Sequence, residues 1–159
     1  MIERECAALT QRSGGAIRVS VRRYADSAAF VELLRQGLSG SRVQGNKIEA
    51  LGDAITKAEN PRAIWLQIVD DLEKLAEYEP GNSPTEGQPT VAALVSAGLT
   101  ANDLNRIAQT LQPDTWLSLS LTPIQSVPVY EFRAREGEYI PFENASAGQQ
   151  ATALLKTLL

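Results

Sequence analysis

The sequence contains no histidine and a single cysteine, Cys6. Histidine is the commonest general base and metal ligand in proteins, so its absence excludes Ser-His and Cys-His catalysis within this chain. One cysteine cannot form an internal disulfide bond, which is typical of a protein from a reducing compartment. We therefore predict a cytoplasmic location.

Long apolar runs are also missing. The longest of them falls far short of the roughly 18 residues that a membrane-spanning helix needs. The first residues contain no apolar segment of a signal peptide, so we predict no membrane association. The net charge of −4 disfavours a dedicated nucleic-acid-binding module, which would normally be basic.

The apolar pattern predicts an α/β fold of mixed α+β type, in which a sheet is packed with helices and interrupted by a helical insertion. Ile17, Val19 and Val21 alternate with polar residues, as in a half-buried strand. Helices are predicted within 27–111, where Asp26 or Ser27 can cap the first of them.

One helix of the insertion has a clear apolar face, formed by Trp65, Ile68, Val69, Leu72, Leu75 and Ala76. Charged residues are predicted on the opposite, solvated face, namely Asp70, Asp71, Glu73, Lys74 and Glu77. A loop rich in proline and glycine is predicted at 79–89. Thr100 and Asp103 have the spacing of a helix cap.

In the last third of the chain the apolar residues recur with a period of two. Leu117, Leu119 and Leu121 alternate with serines, which predicts a strand. A hairpin is predicted from 127–135 to 139–142, with Pro128 at a sheet edge or a bulge.

A final helix is predicted over 144–159, with Leu154, Leu155, Leu158 and Leu159 at helical spacing. No helix-ending residue follows this apolar stripe, so we expect the natural protein to continue beyond Leu159.

The turn into the final helix allows two interpretations. In the first, Ser146 caps the helix and Gln149 reaches back to its amide, as in a capping box. This interpretation does not explain Gly148, since glycine in a helix costs up to about 1 kcal/mol. In the second, a serine hydroxyl, first-turn amides and a glycine that permits close approach bind a phosphate at the positive helix end.

The five residues Ala145-Ser146-Ala147-Gly148-Gln149 resemble the signature motif of ABC-type ATPases. They are most similar to the signature of SMC-like coiled-coil ATPases, which usually reads Leu-Ser-Gly-Gly-Gln or Leu-Ser-Ala-Gly-Gln. The chain from residue 15 to 159 also resembles bacterial AAA-like coiled-coil ATPases that are often linked to a PHP-type phosphoesterase domain. In those proteins a strand like 17–23, a helical subdomain with a Gly-Ser-Arg like Gly40-Ser41-Arg42, and the signature helix occur in this order.

The resemblance implies a fragment of an ABC-type ATPase head. Residues 1–12 would be the end of a helical or coiled-coil lead-in, and 13–159 part of the head. Within that part, 27–111 would form a helical subdomain and 115–159 the strands plus the signature helix.

In such ATPases two heads enclose ATP, and the signature of one head contacts the γ-phosphate held by the other. Ser146 would then donate to the γ-phosphate, and Gly148 would offer its amide and allow close approach. Gln149 would support the turn or contact the ribose side. Ala147 replaces a glycine, as is common among SMC-like members, whereas Ala145 departs from the usual leucine.

Two parts of such an ATPase are missing from the 159 residues. No Gly-x-x-x-x-Gly-Lys-Ser/Thr sequence is present, and no apolar strand ending in Asp-Glu follows the signature. We therefore expect no activity from this chain alone. We expect ATP and Mg²⁺ to bind only when the missing half of the head is present.

The expected partners are a second ATPase head in a homodimer and the missing N-terminal half of the head, with DNA or RNA as a further possibility. Basic residues that could contact a nucleic acid are Arg18, Arg22, Arg23, Arg35, Arg42 and Lys47, although such charges are usually solvated.

Two alternatives remain open. A non-catalytic interaction or adaptor domain would use the final amphipathic helix to meet a partner. A free-standing hydrolase is disfavoured because histidine and paired acids are absent. Leu38-Ser39-Gly40-Ser41 mimics the signature, but we predict a loop in which Ser41 caps the next helix.

Overall fold

The computed structural model describes residues 2–79 and 87–158, which fold into two compact units. The sheet unit combines residues 1–23 and 126–159, and the helical unit comprises 24–125. The described residues contain helices and an antiparallel three-stranded sheet, so the predicted mixed α/β class is confirmed. Most of the loop predicted at 79–89 lies outside the described residues.

The helical unit contains six helices within its described residues. They are α2 (Ala28–Gly37), α3 (Gly45–Thr56), α4 (Pro61–Glu77), α5 (Ala92–Ser96), α6 (Ala101–Thr110) and α7 (Pro113–Ser120).

The sheet unit is built around three strands. They are β1 (Ile17–Asp26), β2 (Gln125–Arg135) and β3 (Glu138–Pro141). The last three residues of β1 and the first residue of β2 are assigned to the helical unit. The helices are α1 (Ile2–Arg12) and α8 (Ala147–Leu158), and a 3₁₀ turn, Phe142–Asn144, joins β3 to α8.

Helix α4 forms the centre of the helical unit, where it contacts α3, α5, α6 and α7, and its predicted apolar face is turned to the core. Asn60 accepts a hydrogen bond from the Ala63 amide at 3.2 Å, and Pro61 occupies the first turn, where a proline costs no hydrogen bond. Ile68 and Leu72 are fully buried in the core that α4 shares with its neighbours.

The cap predicted at Thr100 and Asp103 is confirmed as a complete capping box. The Thr100 hydroxyl and amide donate to Asp103 Oδ2 at 2.6 and 2.9 Å, and Lys47 from α3 forms an ion pair with the same oxygen. Burial raises the pKa of Asp103, but the hydrogen bonds from Lys47 and Thr100 outweigh it and lower this pKa from 3.8 to about 2.

Because the pKa of Asp103 is lower in the folded protein, its contribution to stability is present above pH 4 and is lost between about pH 4 and 2. The full contribution is roughly 2 kcal/mol. We expect urea unfolding of the Asp103→Asn variant to depend less steeply on pH across this window than unfolding of the wild type. Parallel pH profiles of the two proteins would contradict this assignment.

The strand predicted from Leu117, Leu119 and Leu121 is wrong, because helix α7 begins at Pro113 and contains Leu117 and Leu119, with Leu121 as its C-cap residue. The inner side of that helix is formed by half-buried Trp116 and buried Leu119, three residues apart, whereas Leu117 and the C-cap residue Leu121 are exposed. The Trp116 indole donates to the Val69 carbonyl of α4 at 2.9 Å, so packing between α4 and α7 overrides the local alternation.

The predicted hairpin is confirmed by antiparallel pairing of β2 with β3, which runs from Glu131 opposite Pro141 to Arg135 opposite Glu138. A bulge lies between Arg133 and Arg135. Pro128 precedes the stretch of β2 that pairs with β3, so the missing amide removes no bond of that pairing.

Helix α1 lies along the edge of β1. The amides of Ile17 and Val19 donate to the Ser13 and Thr10 hydroxyls at 3.1 and 3.0 Å, and Glu3 forms an ion pair with Arg23. The helix therefore covers donors that an exposed edge strand would offer to another chain.

Candidate functional site

The signature-like turn lies where β3 passes through the 3₁₀ turn into α8. Ala145 is buried, so the side chain that replaces the usual leucine is packed inside the sheet unit. The next four residues, Ser146 to Gln149, are exposed. The four predicted site residues therefore form one accessible helix start.

Ser146 and Gln149 form both hydrogen bonds of a capping box. The Ser146 amide donates to Gln149 Oε1 at 2.9 Å, and the Gln149 amide donates to Ser146 Oγ at 3.3 Å. The box uses only an acceptor site of the serine hydroxyl, so its O–H remains able to donate to a ligand. The capping interpretation is thus confirmed, and it is compatible with a phosphate contact.

The amides of Ala147 and Gly148 complete the donor set of this turn. Neither has a hydrogen-bond partner in the part of the chain that the structure describes. The first turn of α8 itself carries no acidic side chain to complement the partial positive charge of the helix start. The turn can offer one hydroxyl and two amides to an anion.

Gly148 is not required by the folded structure. Its φ lies outside the left-handed region, and an added Cβ would meet no atom of the described residues within 4 Å, beyond its own turn. Glycine is required where the backbone has a positive φ or is closely approached by another group. The described residues supply neither reason, and they leave the space beside Gly148 open.

The second signature-like sequence has a different geometry. Gly40 has a φ of +82°, and Ser41 Oγ accepts from the Val43 amide at 3.2 Å. Helix α3 begins four residues later at Gly45, with Gln44 as its N-cap residue. The prediction that Ser41 caps a helix is therefore wrong, because its hydroxyl closes a local turn instead.

The prediction of a solvated Asp71 is also wrong, because this side chain is buried beside α5. Its neighbour Asp70 is exposed, as predicted, and pairs with Lys74. No group of three or more potential metal-ligating side chains occurs within residues 2–79 and 87–158. In the same ranges no helix is long and apolar enough to cross a membrane.

Four of the six basic residues named as candidate nucleic-acid contacts form ion pairs with acids. Arg18 pairs with Glu131, and Arg35 pairs with Glu32 and Glu49. Arg23 and Lys47 are paired with Glu3 and Asp103, as described above. Arg18 and Arg23 belong to the sheet unit, whereas Arg35 and Lys47 belong to the helical unit. Contact with DNA or RNA stays a prediction.

The sheet unit also has an exposed apolar surface, which the sequence indicates only in part. Leu154, Leu155 and Leu158 are 51%, 59% and 82% exposed, whereas Ala153 is the fully buried residue of α8. A depression of about 350 Å³ adjoins this helix and is lined by Leu9, Ile17, Val19, Tyr130, Phe142, Leu154 and Thr157. Helical spacing indicates the leucine stripe, but only the packing shows that the described residues leave it exposed.

No protein-family model, curated protein or solved structure matches this chain.

Proposed function

We propose that this chain is the signature-bearing part of an SMC-like ATPase head, which presents Ser146 and the first turn of α8 to ATP held by a partner head. ATP binding would thereby be coupled to head dimerisation. The P-loop and Mg²⁺ ligands must come from sequence outside these 159 residues, because the chain contains no P-loop motif.

The observation that carries this proposal is the unexplained glycine at position 148. The helix start already has its capping box, and alanine would fit in the structure without a clash. A phosphate that approaches the amides of Ala147 and Gly148 from outside the chain would explain why position 148 has no Cβ.

Replacing Ser146 by arginine tests the hydroxyl contact. In a protein that joins this segment to a P-loop, we expect Ser146→Arg to weaken ATP-dependent association at least about tenfold. The long side chain fills the space in front of the turn and removes both the hydroxyl donor and the cap. Analytical ultracentrifugation with and without ATP measures the effect.

Ser146→Thr is the matched control, because threonine keeps a capping hydroxyl. Its ATP-dependent association should stay near that of the wild type. Equal association of the arginine variant and the wild type would contradict the proposal.

Gly148→Ala should separate stability from function. We expect alanine to raise the free energy of unfolding by up to about 1 kcal/mol, because it is the better helix former and meets no described neighbour. The same methyl group should weaken ATP-dependent association, because it stands where a phosphate must approach. A variant that is more stable and associates normally would count against a phosphate contact.

The exposed leucines of α8 favour a second candidate, a non-catalytic protein-interaction domain. Apolar side chains at the surface are expected at a binding site for another protein. This candidate predicts association that requires Leu155 and is independent of ATP and Ser146. Association that is lost in Leu155→Glu but unchanged in Ser146→Arg would favour it over the ATPase function.

A further inference from the structure

The Phe142 carbonyl oxygen is a shared acceptor beneath the signature-like turn. It accepts from the Ala145 amide at 3.1 Å and from the Gln150 side-chain amide, Nε2, also at 3.1 Å. The Phe142 side chain packs against the core of the sheet unit, which contains Ile17, Val19 and Ala153. Packing of the Phe142 side chain in this core therefore holds the Phe142 carbonyl in place.

Two adjacent glutamines thus have different partners. Gln149 is exposed and uses its side-chain oxygen to accept from the Ser146 amide within the helix cap. Gln150 is half-buried and uses its side-chain nitrogen to donate across eight residues to Phe142. The first bond closes the turn on itself, and the second ties the turn to Phe142 in the preceding 3₁₀ turn.

We infer, on the basis of the function proposed above, that Gln150 is a positioning residue for the phosphate-binding turn. Its bond to Phe142 holds the first turn of α8 against the 3₁₀ turn, so that the Ala147 and Gly148 amides are already in place before a nucleotide arrives. Preorganised donors bind more tightly because less conformational entropy is lost on binding.

The same substitution at the two glutamines should have different results. In Gln149→Glu the carboxylate still accepts from the Ser146 amide and complements the positive helix end. In Gln150→Glu the donor is lost and a negative charge faces the Phe142 carbonyl oxygen.

Amide hydrogen exchange of the 159-residue chain, measured by NMR, tests this difference without any nucleotide. Exchange at the Ala145 and Gln150 amides should accelerate about fivefold or more in Gln150→Glu and remain nearly unchanged in Gln149→Glu. The Leu104 amide of the helical unit, which bonds to the Thr100 carbonyl, serves as an internal reference. Equal exchange in the two glutamate variants overturns the inference.

A neutral variant tests positioning of the phosphate site itself. Gln150→Met keeps the length of the side chain but has no donor, whereas Gln150→Arg keeps a donor. Sodium phosphate, compared with sodium chloride at equal ionic strength, should shift the Ala147 and Gly148 amide resonances of the wild type and Gln150→Arg. The apparent affinity should fall about fivefold in Gln150→Met.

The two NMR measurements distinguish failure of the positioning role from failure of the proposed phosphate site. A phosphate response in the wild type that is equally strong in Gln150→Met overturns the positioning role and leaves the proposed function standing. No response in the wild type overturns the phosphate site, whereas the exchange rates still decide whether Gln150 holds the turn.

Discussion

Replacing Asp71 by alanine is expected to lower the free energy of unfolding of the helical unit by about 3 kcal/mol. Asp71 is only 5% exposed, and its Oδ2 accepts from the Ala93 and Leu94 amides at 2.8 and 3.4 Å. These amides belong to the first turn of α5, whose N-cap residue, Val91, has no side-chain acceptor. Alanine would leave both donors unsatisfied and create a cavity.

Asp70→Ala is the matched control for this prediction. The Asp70 side chain is 60% exposed, and its ion pair with Lys74 lies at the surface, where such pairs contribute at most about 1 kcal/mol. We expect urea denaturation, followed by circular dichroism, to separate the two variants clearly. Similar unfolding midpoints for the two adjacent substitutions would show that Asp71 does not hold α5 in place.

Alanine at Gly52 should also destabilise the helical unit, by about 2 kcal/mol. Helices α2 and α3 approach closely at this glycine. An added Cβ would lie 2.5 Å from Val31 Cγ2 and 2.6 Å from Ser27 Oγ, closer than van der Waals contact allows. Rotating one side chain cannot relieve both overlaps, and the Ser27 Cβ, at 3.3 Å, would have to shift slightly as well.

Gly45 provides the comparison, since it belongs to the same helix and an added Cβ there would meet no described atom within 4 Å. Alanine is intrinsically the better helix former by about 1 kcal/mol, so Gly45→Ala should be neutral or stabilising. Thermal unfolding of the two variants measures the contrast. A Gly52→Ala variant as stable as Gly45→Ala would show that the helices separate without cost.

The capping boxes at the starts of α6 and α8 were predictable because each is a local pattern. Thr100 and Asp103, and likewise Ser146 and Gln149, are three residues apart, and a helix start brings these positions together by its own geometry. For the same reason the candidate site could be located from the sequence, although its occupant could not. Exposure of the turn and the open space beside Gly148 appear only in the folded structure.

Local alternation was misleading where a distant contact decided the structure. The serine and leucine alternation after Trp116 fits a strand, but the indole bond to the Val69 carbonyl places this segment in a helix against α4. Asp71 looks solvated beside other charges, yet α5, more than twenty residues later, supplies its partners.

The sequence by itself determined the mixed fold class, helix α4 with its apolar face, the hairpin and the two capping boxes, because periodicity and short spacings act over short stretches of chain. Only the tertiary structure decided that α1 covers the edge of β1, that Gln150 reaches Phe142, and that the described chain buries Ala153 and leaves the neighbouring leucines exposed. Each of these depends on contacts between different elements, which the apolar period of a single element does not record.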